Sequence, residues 1–201
     1  MEQFRRKFKE AHFDGDVYLR PVRIEETQDN LQIQFNACLE YSDQLIQEWT
    51  IECTDLIDYN LTLDFIDDIN VYTDHVLLWS KNTEHCQLFF KGKPDNPYEV
   101  VGALYAKHEE VTNGWIKFDT FLNGLVSVDK LLSRGNGLFA EGPEELLKSY
   151  KSVLENFMVS TSMLPSKHDT HREQYQVMVF GKSYVVAKGF TFHLLSDKTS
   201  I

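Results

Sequence analysis

Between Ile24 and Ser80 the sequence contains no lysine and no arginine. The same stretch holds Glu25, Glu26, Asp29, Glu40, Asp43, Glu48, Glu52, Asp55, Asp58, Asp64, Asp67, Asp68 and Asp74, a net charge of −13. Without cations these side chains cannot pair with one another. They must face water, meet cations from elsewhere in the fold, or meet a basic partner. Residues 1–23 carry +2 and residues 81–201 carry 14 basic and 14 acidic groups, so the chain's −11 resides in this one stretch. Such a field repels nucleic acid phosphates and anionic lipid, which argues against both as partners.

Cysteine is scarce. Cys38, Cys53 and Cys86 are an odd number in a chain of 201 residues, and each lies in an apolar-alternating run. That excludes a disulfide framework and suggests buried, reduced thiols in a cytoplasmic protein. No apolar run reaches the 18 or so residues of a membrane-spanning helix. The N-terminus is charged from Glu2 onward, so no secretory leader is expected. Ten glycines and five prolines are too few for a collagen-like or linker-rich chain.

Complete chemical motifs are also missing. Gly181-Lys182-Ser183 lacks the earlier glycine of a phosphate loop, since Gln176 stands there, and Tyr184-Val185-Val186 reads as strand. Arg134-Gly135-Asn136-Gly137 precedes a strand, where a dinucleotide fingerprint would follow one. His168 and His171 form a pair without further ligands, and His85-Cys86 has no second thiol pair. His108-Glu109-Glu110 has no histidine four residues after His108, which reads as a helix residue near the core boundary. No Gly-x-Ser-x-Gly elbow occurs. No metal, cofactor or catalytic residue is therefore assigned. The Asp64, Asp67 and Asp68 cluster lacks the spacing of a calcium loop.

What is present is a folding pattern. Hydrophobic residues make up 42% of the chain and aromatics 13%, enough for a substantial core. Phe4, Phe8 and Ala11 suggest a short helix over 2–12. Val17, Leu19, Val22 and Ile24 predict a strand interrupted at Pro21, hence an edge or a bulge. Thr27 to Asn30 reads as a turn, and Leu31, Ile33 and Phe35 alternate with polar residues as a second strand. Trp49, Ile51 and Cys53 predict a third, and Ile57, Tyr59, Leu61 and Leu63 a fourth. Together these form an antiparallel meander with one wet face.

After a buried strand at 87–91, Asn96 and Pro97 open a helix over 97–112 that stops at Asn113-Gly114. Residues 117–123 predict a helical turn and 128–134 a short helix between Ser127 and Gly135. A strand over 137–141 precedes a second long helix opened by Gly142-Pro143-Glu144-Glu145. A strand at 158–163, a loop at 165–174 and a hairpin around Gly181-Lys182 complete the chain. This order predicts an α+β protein over 1–201. Its parts are an N-terminal β-meander, two long helices and a C-terminal β-hairpin in one layered domain, with a possible subdomain boundary near 94.

The acidic stretch then points to two uses besides solubility. The first is a non-enzymatic interaction module whose acidic sheet face, with Glu48, Glu52, Asp58, Asp64, Asp67 and Asp68, meets a basic protein. The second is a small enzyme or anion-binding protein with its site at the strand-Gly-Pro-helix turn of 137–145, where helix N–H groups could face a ligand.

Overall fold

A computed structural model describes Glu2, Phe4, Arg6 and residues 17–62, 66–166 and 174–198. The chain is α+β, mixing helices with two antiparallel sheets. It divides into two compact units: residues 1–78 with 173–201, and residues 79–172.

The first unit is built on a six-stranded sheet. Its strands are β1 (Val17–Glu26), β2 (Asn30–Leu39), β3 (Leu45–Asn60), β4 (Asn70–Tyr72), β8 (Gln176–Phe180) and β9 (Ser183–Asp197), in the order β1-β2-β3-β9-β8-β4. The predicted hairpin of β1 and β2 is present, and the register slips between Pro21 and Arg23 on an edge strand, as the proline requires. The predicted third and fourth strands are one continuous β3. Asp55 adopts a left-handed φ of 51°, and the pairing with β9 shifts again between Leu56 and Asp58. These irregularities displace the inner face, so Leu56 and Tyr59 pack on the core and Ile57 is exposed.

The C-terminal hairpin extends the same sheet, with β9 beside β3. Gly181 supplies the positive φ of its turn. The two ends of the sheet also meet. Leu19 N–H donates to Ile66 C=O at 2.7 Å, and Ile66 N–H to Leu19 C=O at 3.0 Å, just before edge strand β4. Inside lie Leu19, Ile33, Phe35, Trp49 and Ile51, each at most 1% exposed. Phe4, on a helical N-terminal stretch, packs edge-on to Trp49 with ring centres 5.0 Å apart. The rest of the predicted 2–12 helix lies outside the described residues.

The second unit holds α1 (Trp79–Asn82), β5 (His85–Lys91), α2 (Pro97–Thr112), α3 (Val128–Arg134), β6 (Asn136–Pro143), α4 (Glu144–Asn156) and β7 (Ser160–Pro165). A 3₁₀ turn at Val76–Leu78 precedes α1. The sheet order is β6-β5-β7, and α2, α3 and α4 share its core through Leu104, Leu132, Leu147 and Leu154. Helix α2 spans the predicted residues. Asn96 Oδ1 accepts from Tyr98 N–H, Pro97 occupies the first turn, and Asn113 stops the helix with φ 51°. The predicted loop at 165–174, with His168 and His171, lies largely outside the described residues.

Candidate functional site

Residues directly opposite in an antiparallel sheet share a face. The register across β1, β2, β3 and β9 therefore assembles three rows on the face away from the core, with Thr50 at their centre buried. The first is Glu25, Gln32, Glu52 and Thr191. The second is Arg23, Gln34, Thr50 and His193. The third is Arg20, Asn36, Glu48 and Ser196. At roughly 4.8 Å per strand and 6.8 Å per two residues, this polar patch measures about 14 by 14 Å. Two exposed hydrophobic residues, Val22 on β1 and Leu195 on β9, stand at bulges between its rows.

Its carboxylates are held loosely. Ser196 Oγ donates to Glu48 Oε2 at 2.5 Å. Glu52 Oε2 stands 3.6 Å from His193 Nε2, and Arg23 pairs with Glu25. Glu52 and His193 are about half exposed, so their attraction is worth little in water. Asn36 Oδ1 is a buried acceptor with no donor among the described residues.

Of the predicted acidic residues, the structure thus brings Glu48 and Glu52 together. Asp58 lies on the far half of β3, about 20 Å along the strand from Glu52. There it accepts from Tyr184 OH at 3.0 Å. Burial, then this bond, pushes the Tyr184 phenol up to about 12. Neighbouring Asp55 meets Lys188 at 3.7 Å. Asp67 and Asp68 precede β4 in irregular chain, off the patch. Asp68 is engaged locally, accepting from Ile69 N–H at 2.8 Å and Asn70 Nδ2 at 2.7 Å. Asp64 lies outside the described residues. The acidic stretch therefore decorates the sheet face, its turns and the β4 approach, rather than one common side.

The turn at 137–145 has a different character from the one expected. The N–H of Glu144 donates to Glu84 C=O at 2.9 Å, so it is already engaged. Glu144 and Glu145 occupy the first turn of α4 and reach Lys148 at 3.2 and 2.9 Å. Both carboxylates put negative charge where an anion would sit. Beside them Gln87 Nε2 donates to Glu141 Oε2 at 3.1 Å and Ser166 Oγ to Glu141 Oε1 at 2.6 Å. Sequence reasoning missed this cluster because its members are 25 and 54 residues apart. The only available signal was Glu141 as a lone carboxylate within a strand pattern.

Two further groups bear on chemistry. His108 is fully buried, with Nε2 2.6 Å from Ile116 C=O and Nδ1 2.7 Å from Tyr150 OH. A carbonyl only accepts, so Nε2 carries hydrogen, and a neutral ring then accepts from the phenol. This ties the chain after α2 to α4. Burial raises all three thiols, Cys53 to about 12, so none is an activated nucleophile. Among the described residues no three carboxylate, histidine or cysteine groups converge as metal ligands. No described helix is long and apolar enough to cross a membrane.

No family model matches the chain, and neither a curated protein nor a solved structure matches it significantly.

Proposed function

We propose that this chain is a soluble, non-enzymatic interaction module of the cytoplasm. It takes a basic protein partner on the outer face of its six-stranded sheet, around Glu48 and Glu52. The observation that carries this reading is the three-row polar patch, in which Glu48 and Glu52 lie on the β3 side with amides and hydroxyls while Arg20 and Arg23 lie at the β1 edge. Opposite charge speeds encounter, and acceptor-rich rows suit lysine and arginine donors. The net charge of −11 opposes nucleic acid and anionic membranes as alternatives. Three free thiols fit a reducing compartment.

A short oligolysine peptide titrated into isotope-labelled protein tests the reading. Amide shifts should concentrate on Glu48, Thr50, Glu52 and His193 and weaken steeply as salt rises. The double variant E48Q/E52Q should lose most of the response while keeping its fold. Shifts gathered instead around Asp67 and Asp74, or unaffected by the variant, would overturn it.

One observation favours a second reading, a ligand site beside the turn between β6 and α4. Gln87 and Ser166 fix both oxygens of Glu141, which would present it to a cationic or hydrogen-bond-donating small molecule. A fragment screen by the same amide shifts, repeated with E141Q, separates this site from the sheet patch.

A further inference from the structure

We infer that the outer face of the sheet takes one extended segment of its partner, laid along β2, in which basic and acidic residues alternate. This rests on the reading above and names the segment that the patch recognises. The three rows are ordered across the strands. β1 contributes Arg20 and Arg23, β2 contributes Gln32, Gln34 and Asn36, and β3 contributes Glu48 and Glu52. Cations and carboxylates are therefore two strand spacings apart, about 10 Å, with a column of amides between them.

Each column keeps capacity for a ligand. Arg20 is exposed and, among the described residues, makes no ion pair. Arg23 pairs with Glu25, the one carboxylate that the rows place on β1, so this flank stays net positive. On β3, Glu48 accepts from Ser196 Oγ, and Glu52 stands 3.6 Å from His193 Nε2. An ionised carboxylate offers about four acceptor sites, so both can take further donors. In the column between, Asn36 Oδ1 lacks a donor among the described residues.

An extended chain matches this order. Its side chains leave alternately to opposite sides, and the N–H and C=O groups of one edge recur every two residues, about 7 Å. Gln32, Gln34 and Asn36 recur along β2 at the same interval. Amides both donate and accept, so they can meet either backbone group. A segment lying edge-down on β2 turns one set of side chains towards Arg20 and Arg23. It turns the other set towards Glu48 and Glu52. Acidic residues suit the first side and basic residues the second. A segment of lysines alone would bring like charge against Arg20 and Arg23, so the face discriminates by the order of charges as well as their sign.

The probes are a short peptide of alternating lysine and glutamate, a block peptide of the same composition with all lysines first, and oligolysine. Each is added to the full-length, isotope-labelled protein. Like charges four residues apart keep the alternating peptide from forming a helix. We expect it to bind at least about fivefold tighter than the block peptide, and to move the side-chain amide signals of Gln32, Gln34 and Asn36. Arg20→Gln, at an exposed position, should weaken the alternating peptide about threefold and should not weaken oligolysine. E48Q/E52Q should weaken both. Suppose oligolysine still depends on Glu48 and Glu52, while the alternating and block peptides bind equally or R20Q changes neither. That result keeps the interaction face and overturns the alternating segment. Oligolysine binding indifferent to E48Q/E52Q overturns the interaction face itself.

Discussion

His108 shows what a single buried polar side chain does here. It meets two partners from different segments, Tyr150 on α4 and Ile116 after α2, at 2.7 and 2.6 Å. His108→Phe keeps the volume but strands both partners in a dry interior. The loss should be about 2–4 kcal/mol by chemical denaturation. Tyr150→Phe strands only one nitrogen and should cost about 1–2 kcal/mol. Equal costs for the two would show that the Ile116 bond contributes nothing.

The Cys53 thiol gives a pH dependence at the same scale. Burial raises it from 9.0 to about 12, so the folded state favours the protonated form. The contribution is fully present below pH 9 and is lost as pH rises from 9 towards 12. Tyr18 and Tyr184, each raised from 10.0 to about 12, add to the loss above pH 10. Stability should therefore be flat near neutrality and fall from about pH 9. Cys53→Ala, less stable at pH 8, should lose less between pH 8 and 10 than the parent. Parallel urea midpoints for the two proteins would remove the thiol from this account.

At the scale of elements, local signals were legible wherever the structure satisfies them locally. Asn96, Pro97 and Asn113 mark α2 because a cap, a fixed φ and a left-handed stop are properties of neighbouring residues. Asn96→Ala should cost about 1 kcal/mol, measured by thermal unfolding. Gly102, in the middle of α2, would have nothing within 4 Å of an added Cβ, and its φ is not positive. Gly102→Ala should therefore stabilise by about 0.5–1 kcal/mol.

Ser127 was legible as the residue before α3 but not in its role. Its side chain makes no cap bond to the helix backbone. It bonds the Asp129 carboxyl instead and holds it below the ordinary carboxylate range. The sequence pattern splits β3 in two because Asp55 and the shift at Leu56 displace the alternation. A period-2 pattern cannot distinguish a bulge from a turn when the residues there are polar. The sheet patch was only half legible. Alternation put Glu48 and Glu52 on the wet face, whereas Thr191, His193 and Ser196 join them through a pairing about 140 residues distant that no local pattern encodes.

At the scale of the whole molecule, the uneven charge has a stability consequence apart from any partner. Thirteen carboxylates between Ile24 and Ser80 share one unit. Arg23 reaches Glu25 and Lys188 reaches Asp55 at 3.7 Å. Exposed neighbours of like charge, such as Asp67 and Asp68 on the β4 approach, repel one another. At 0.01 M salt the screening length is about 30 Å, comparable to the unit itself, and at 0.15 M it is about 8 Å. Added sodium chloride should therefore raise the stability of this unit over that range, followed through Trp49, its one tryptophan. Asp67→Asn removes an exposed charge beside Asp68 without touching a buried contact. It should stabilise by a few tenths of a kcal/mol at low salt and by almost nothing at 0.15 M. Glu99→Gln, on the first turn of α2 in the charge-balanced part of the chain, should not share this gain, because there the carboxylate favours the helix N-terminus. If both substitutions respond to salt alike, the asymmetry along the sequence has no counterpart in the folded field, and the electrostatic basis for a basic partner fails with it.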